Sequence, residues 1–194
     1  VPPQPGDAGG AIGAAAYTYS SIGKQACVPN PQHAYLGPSF DDTTIEKVIQ
    51  EHDILDNSEF VHHYCESDES LCKEIATDIS EGKVIGWFQG RMEWGPRALG
   101  TRSILADPRR PDMKDILNLK IKRRESFRPF APSILRGYVK EYFETDYEVP
   151  FMSMVFQIRQ EKRSDLPAVT HVNGSGRLQT VDKDDNLLYW KLID

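Results

Sequence analysis

Apolar positions recur at helical spacing between residues 67 and 82, where Leu71, Cys72, Ile75, Ala76 and Ile79 share one face. Ser67 or Asp68 can cap the start, Glu69 lies in the first turn and Gly82 closes the end, so a helix is predicted there. The period then changes. Val84-Ile-Gly-Trp-Phe88 is a nearly continuous apolar run bounded by glycines, which predicts a buried strand of an α/β sheet. Asp41-Asp42-Thr43 offers caps for a short helix carrying Ile45, Val48 and Ile49. Pro111 stands at a first helical position before the stripe Met113, Ile116 and Leu117, predicting a helix over 111–120. Further strands are predicted over 151–158, 168–172 and 178–181, with a helix over 137–143. Near the start, Gln4-Pro-Gly-Asp7 reads as a loop entering a tightly packed helix of small residues that runs to Tyr17. Pro29, Pro31 and Pro38 exclude a continuous helix from Ser20 to Phe40, leaving a linker or an extended connection. Strands interspersed with helices predict an α/β or α+β domain from about residue 38 onward.

Composition changes this picture mainly through charge. Among 194 residues, 23 Lys and Arg oppose 29 Asp and Glu, giving a formal charge of −6, which argues against a generally basic nucleic-acid coat. Hydrophobic residues make up 39%, enough for one core and part of a second. No apolar run approaches the roughly 18–20 residues needed to cross a bilayer, and the first residues lack the charged start and apolar stretch of a secretory signal. A soluble, unexported, cytoplasmic protein without a membrane partner is expected. Cys27, Cys65 and Cys72 are too sparse for a disulfide framework and are expected as reduced thiols. A chain opening at Val1 rather than Met is expected to be a fragment. Between Arg91 and Arg128, eight Arg and three Lys face five acids, so this segment carries +6 and the remainder −12. Such an island favours an anion, although solvated cations on a surface helix give the same count.

Three segments carry candidate chemistry. Gly90-Arg91-Met-Glu-Trp-Gly-Pro-Arg97-Ala-Leu-Gly-Thr-Arg102-Ser103 directly follows the predicted strand. A loop leaving a strand end in an open α/β sheet is where ligands usually sit, and the guanidiniums of Arg91, Arg97 and Arg102 can converge on one anion. The competing reading is a Gly/Pro turn with surface arginines paired to Glu93. In Lys122-Arg-Arg124-Glu125-Ser-Phe-Arg128-Pro-Phe-Ala-Pro-Ser133 the prolines keep the chain extended, and alternation puts Lys122, Arg124 and Arg128 on one face around Ser126 with Glu125 opposed. That face suits a polyanion pocket or, equally, an edge strand guarded by charge. His171-Val-Asn173-Gly-Ser175-Gly-Arg177 leaves an apolar strand through a Gly-rich turn, a hairpin-like setting that brings His171 and Arg177 to one rim. His171 is then a general acid, a phosphate donor or a half-buried histidine bonded to backbone.

Two further features are set aside at this level. His62, His63, Cys65 and Cys72 have donor atoms of zinc-site type, but the Cys-to-Cys gap is wide and Cys72 lies on an apolar helix stripe. Gly6-Asp7-Ala-Gly9-Gly10-Ala-Ile-Gly13 fits neither the Walker nor the dinucleotide pattern, and Asp7 alone cannot hold a metal.

Taken together, GDAGGAIGAAAY, GWFQGRMEWGPRALGTRSILADP, LNLKIKRRESFRPFAPSIL, PFMSMVF and AVTHVNGSGRLQTV resemble the O-carbamoyltransferases of the nodulation-protein and antibiotic-tailoring type, from about Gln4 onward. The resemblance implies that residues 1–20 are the end of an actin-like, sugar-kinase-type domain, 21–40 a linker and 41–194 most of a YrdC-like domain with a twisted mixed sheet flanked by helices. It implies a two-stage reaction, in which carbamoyl phosphate and ATP give carbamoyl adenylate and the carbamoyl group then moves to an acceptor hydroxyl bound by the N-terminal domain. By the same resemblance, Arg97, Lys122, Arg128 and Arg177 contact carbamoyl phosphate and the adenylate, supported by Arg91, Arg102, Ser103, Arg124, His171 and Asn173. Asp7 matches a ligand of a divalent metal, iron among the candidates, whose histidine partners lie outside this chain.

Thr101 replaces a common Asn, and Asn173-Gly-Ser-Gly176-Arg177 replaces an Asp-Gly-Thr/Ser-Ala-Arg pattern. The family also continues past the equivalent of Asp194, so the chain by itself is expected to bind anions or nucleotide weakly and to lack complete activity. Two competing readings are an RNA-binding YrdC-like module, with Phe127 and Phe130 stacking on bases, and a regulatory domain without turnover.

Overall fold

Helix ends are set by local chemistry. In the computed structural model, which describes residues 3–23, 26 and 32–194, Ser67 caps α3 (Asp68–Ser80), accepting from the Ser70 amide while the Ser70 hydroxyl accepts from the Ser67 amide. Gly82, at φ +89°, lies just past its end. Asp41 caps α2 (Asp42–Glu51) through a 2.8 Å bond from the Thr44 amide. The predicted helix at the start is present as α1 (Asp7–Gly23), but it is not packed. None of its residues is buried and Tyr17 is 77% exposed, because no described element covers it. Cys27, Pro29 and Pro31 lie outside the described residues.

The fold is mixed α/β, and no described helix is long and apolar enough to cross a membrane. Among the described residues its strands form three two-stranded ladders. β1 (Ile85–Phe88) pairs antiparallel with β2 (Arg102–Leu105), β3 (Ser133–Leu135) pairs parallel with β6 (Gln179–Val181), and β4 (Phe156–Gln157) pairs antiparallel with β5 (Ser175–Gly176). One core joins Cys72 of α3, Trp87 of β1, Leu135, Val181 and the last helix, α6 (Leu187–Ile193), through Tyr189 and Leu192. A second gathers Val139 and Phe143 in and after α5 (Val139–Tyr142), with Val149, Ile158 and Leu178. A third holds Met113, Leu117 and Ala168.

Several expected elements differ. The 84–88 run is not a buried strand of an open sheet. Only Trp87 of β1 is buried and Phe88 is half exposed, since among the described residues β2 is its sole strand partner. Because β1 and β2 run antiparallel, the loop 89–101 closes a hairpin instead of leaving a parallel sheet. The 111–120 helix begins as α4 (Met113–Asp115) and widens into a π-helix over Ile116–Ile121, which turns both Leu117 and Asn118 inward. Residues 122–128 are not extended: Arg123 has φ +48° and the Arg128 amide bonds back to Glu125 O at 3.3 Å. The 151–158 strand shortens to β4, the preceding chain being bent at Met152, φ +51°. No strand forms over 168–172, where the Val169 and Thr170 amides and the Thr170 hydroxyl all bond Leu166 O in a tight turn. The helix predicted over 137–143 and the strand over 178–181 are present as α5 and β6.

Phe143 is fully buried and Tyr17 is exposed, so the two aromatics separate in their cost. Phe143→Ala is expected to lower unfolding stability by about 3–5 kcal/mol in chemical denaturation, and Tyr17→Ala to change it by less than about 0.5 kcal/mol.

Candidate functional site

The loop joining β1 to β2 is folded around a buried carboxylate. Glu93 accepts from the amides of Leu99 (2.6 Å) and Thr101 (2.9 Å) and from Arg102 Nε (3.0 Å), while Arg102 Nη2 donates to Gly95 O at 2.6 Å. Burial pushes the Glu93 carboxyl up, but the Thr101 and Leu99 amides outweigh it and leave the group below the ordinary glutamate value. The Gly100 carbonyl accepts from Trp87 Nε1 and Gln89 Nε2, and its amide donates to Ser103 Oγ. Gly100 has φ +103°, and a Cβ there would overlap the Tyr189 ring. Residues 34–39, within the expected linker, lie against this loop through backbone bonds of Gly37, Met92 and Trp94.

The loop thereby fixes Gly95, Pro96 and Arg97 on the wall of a cavity of about 570 Å³. The opposite lining comes from Gln4 to Ala8, from Phe151 to Ser153, and from Arg177 between β5 and β6. Gln4 is itself buried and donates to Trp94 O at 3.1 Å, which places Asp7 at this cavity. Arg177 is half-buried and its Nε is buried without a hydrogen-bond partner. Burial, then Arg97, then Arg124 lower its pKa. Among the described residues neither Arg97 nor Arg177 has an ion-pair partner. A guanidinium keeps its proton, so this is a desolvated positive charge crowded by its own kind, and an anion relieves it.

His171 borders this field. Its Nδ1 lies 3.1 Å from Ser175 Oγ, which donates at 2.7 Å to Asn173 Oδ1, and its Nε2 is buried without a partner. The ring thus donates from Nδ1 to Ser175, leaving Nε2 an acceptor when neutral. Burial, then Arg177 and Lys114, lower the His171 pKa, favouring that neutral form.

The structure therefore divides the expected residues. Arg97 and Arg177 share one cavity, and Arg124 is electrostatically coupled to Arg177 while held by Asn118 Oδ1 at 2.7 Å and stacked over Phe130. Lys122 and Arg128 do not line the cavity: both sit on the exposed 122–128 turn, Arg128 paired with Glu125 at 2.9 Å, the residue expected to face away from it. The convergence of three guanidiniums on one anion is also absent. Arg91 donates to Gly37 O and Leu36 O, and Arg102 turns inward to Glu93 because that carboxylate has no other cation. Ser103 is buried as the acceptor for Gly100, and Asn173 is exposed with its Oδ1 turned to Ser175. Asp7 falls in no group of three or more described His, Cys or carboxylate residues, so these residues alone do not compose a metal site there.

Two positioning residues had signals in the sequence. Glu93 stands alone among arginines and glycines, and Asn118 interrupts an apolar run. Fully buried, Asn118 donates to Ser126 O and Arg128 O and so shapes the cationic turn. Gln4 carries no comparable signal.

Comparison with known proteins agrees with the motif reading. Residues 76–194 match the family described as Carbamoyltransferase C-terminus, and the chain belongs to that family. It is 43% identical over its whole length to nodulation protein NolNO of Sinorhizobium fredii, covering 28% of that protein. It is 41% identical to nodulation protein NolO of Bradyrhizobium diazoefficiens, covering 35% of it, and 37% identical to nodulation protein U of Rhizobium tropici, covering 30%. The chain thus spans about a third of the length of the curated relatives it matches.

Glu93 also sets an acid limit. Its folded pKa lies below the unfolded value of 4.5, so its contribution is complete above that pH and is lost as pH falls through the folded value. Glu93→Gln is expected to destabilise the chain by about 3 kcal/mol at neutral pH and to flatten the acid limb of its stability curve. Denaturation between pH 7 and pH 3 checks both.

Proposed function

We propose that this chain is the carbamoyl-phosphate- and ATP-binding part of a cytoplasmic O-carbamoyltransferase, with Arg97 and Arg177 as the principal anion contacts. The observation that carries the reading is the buried, unpartnered Nε of Arg177 beside Arg97, on a cavity of about 570 Å³. Family membership supports carbamoyl chemistry, and the neighbouring cations supply what phosphate esters need. In this reading residues 41–194 are the YrdC-like domain, 21–40 the linker and 1–20 the end of the actin-like domain, with Asp7 reaching the cavity.

The proposed chemistry proceeds in two stages. Water releases inorganic phosphate from carbamoyl phosphate, and the resulting carbamate oxygen bonds to the α-phosphorus of ATP as diphosphate leaves. The acceptor hydroxyl oxygen then attacks the carbonyl carbon, giving up its proton, and AMP departs. Arg97 and Arg177 neutralise the approaching phosphates and hold charge growing on equatorial and leaving oxygens. Arg124, fixed by Asn118 and Phe130, adds field without moving. Neutral His171 presents Nε2 as an acceptor, and a phosphate nearby would favour its protonated, donating form. A metal ligated by Asp7 would be completed from outside this chain.

Calorimetric titration with carbamoyl phosphate and with a non-hydrolysable ATP analogue tests this. Binding by the 194-residue chain is expected to be weak, to weaken roughly 10- to 100-fold in Arg97→Ala and Arg177→Ala, and to stay within about twofold in Lys122→Ala. Affinity indifferent to residues 97 and 177 contradicts the reading. A steep salt dependence with RNA and no saturation by carbamoyl phosphate supports the nucleic-acid alternative.

A further inference from the structure

Away from the cationic cavity, the stretch after Phe60 runs beside α3 and brings three different donor atoms together. His63 Nε2 lies 2.8 Å from Glu74 Oε1 and 3.0 Å from Oε2, and Cys65 Sγ lies 3.8 Å from Glu74 Oε2. The ligand atoms of all three residues fall within 4.8 Å of one another. Residues 60–65 are free of helix and turn, so a two-residue spacing suits His63 and Cys65 to one side of the chain. Tyr64 between them donates instead to Glu46 of α2 at 2.8 Å. Glu74 stands on the solvent-facing flank of α3, and none of the three is buried, so an ion can reach the cluster.

We propose that His63, Cys65 and Glu74 form a binding site for a divalent cation of the zinc class. Imidazole nitrogen, thiolate sulfur and carboxylate oxygen are the donors that such ions accept, whereas Mg²⁺ and Ca²⁺ select oxygen alone. A tetrahedral ion at ordinary zinc distances sets N···O near ~3.3 Å and S···O near ~3.6 Å. The present separations of 2.8 and 3.8 Å each lie within about 0.5 Å of those values. Binding displaces the Cys65 thiol proton, takes the lone pairs of His63 Nε2 and the Glu74 carboxylate in place of their mutual contact, and leaves a fourth position to water. Cys72, the other thiol on α3, is not a ligand: it is buried in the core with Sγ toward Leu188 O. The ion would fasten the 60–66 stretch, which is tied to α2 through Tyr64 and Glu46, onto α3.

Cobalt titration of the reduced, metal-free 194-residue chain tests the site. One equivalent of Co²⁺ is expected to give a near-ultraviolet thiolate-to-cobalt band and visible bands of tetrahedral coordination, both bleached by Zn²⁺. Cys65→Ser should abolish the thiolate band and weaken Zn²⁺ binding at least about 100-fold, the upper end of what loss of a ligand's supporting hydrogen bond costs. Glu74→Gln should also weaken Zn²⁺ binding, and Cys72→Ser should leave the spectrum unchanged, with each fold checked by circular dichroism. A thiolate band that survives Cys65→Ser, that depends on Cys72, or that is absent at one equivalent overturns the proposal.

Discussion

The Glu93 carboxylate, enclosed by its own loop, is the constraint on which the functional face depends. With no side-chain exposure, it satisfies two backbone amides and one guanidinium that would otherwise be stranded between β1 and β2. Those bonds set the course of residues 93–102, and Arg102 carries the restraint on to Gly95. From there it reaches the Arg97 side of the cavity, while Gly100 against Tyr189 ties the same loop to the α6 core. Packing and site are thus one problem: the loop presents Arg97 because the carboxylate at its centre is bonded by two amides and a guanidinium.

Six of the eight arginines between Arg91 and Arg128 have one of two occupations. Arg91, Arg102 and Arg124 are committed to carbonyls, a buried carboxylate or a side-chain amide, and they organise the loops. Arg110 and Arg128 pair with Asp112 and Glu125 at the surface, where such pairs contribute little to stability, and Arg109 is held by the buried Asp107 carboxylate. Arg97 and Arg177 belong to neither group. The +6 island is therefore a poor measure of anion affinity, and the informative quantity is which positive groups remain desolvated and uncompensated.

Legibility in the sequence followed the range of the controlling interactions. The capped start of α3 at Ser67 and its end near Gly82 are set by neighbours in the chain, and both were readable. The motif around Arg97 and the one around Arg177 were also readable as motifs, and the structure joins them at one cavity. What failed was inference from alternation over 122–128, because a positive φ at Arg123 and the bonds of Asn118 to Ser126 and Arg128 impose a turn. The 168–172 strand failed for a related reason, since Leu166 O gathers the donors that a strand would have offered a partner. Gln4 against Trp94 and Glu74 against His63 are long-range or inter-element pairings that no local pattern encodes.

The central claim is that the Arg177 Nε–H is held for an anion. Nitrogen-15 NMR of the arginine Nε–Hε groups during titration with carbamoyl phosphate tests it at that atom. The account predicts a saturable shift and slowed solvent exchange at Arg177 and a shift at Arg97, with Arg128 unmoved. A titration that shifts Arg128 while leaving Arg177 unchanged would contradict it.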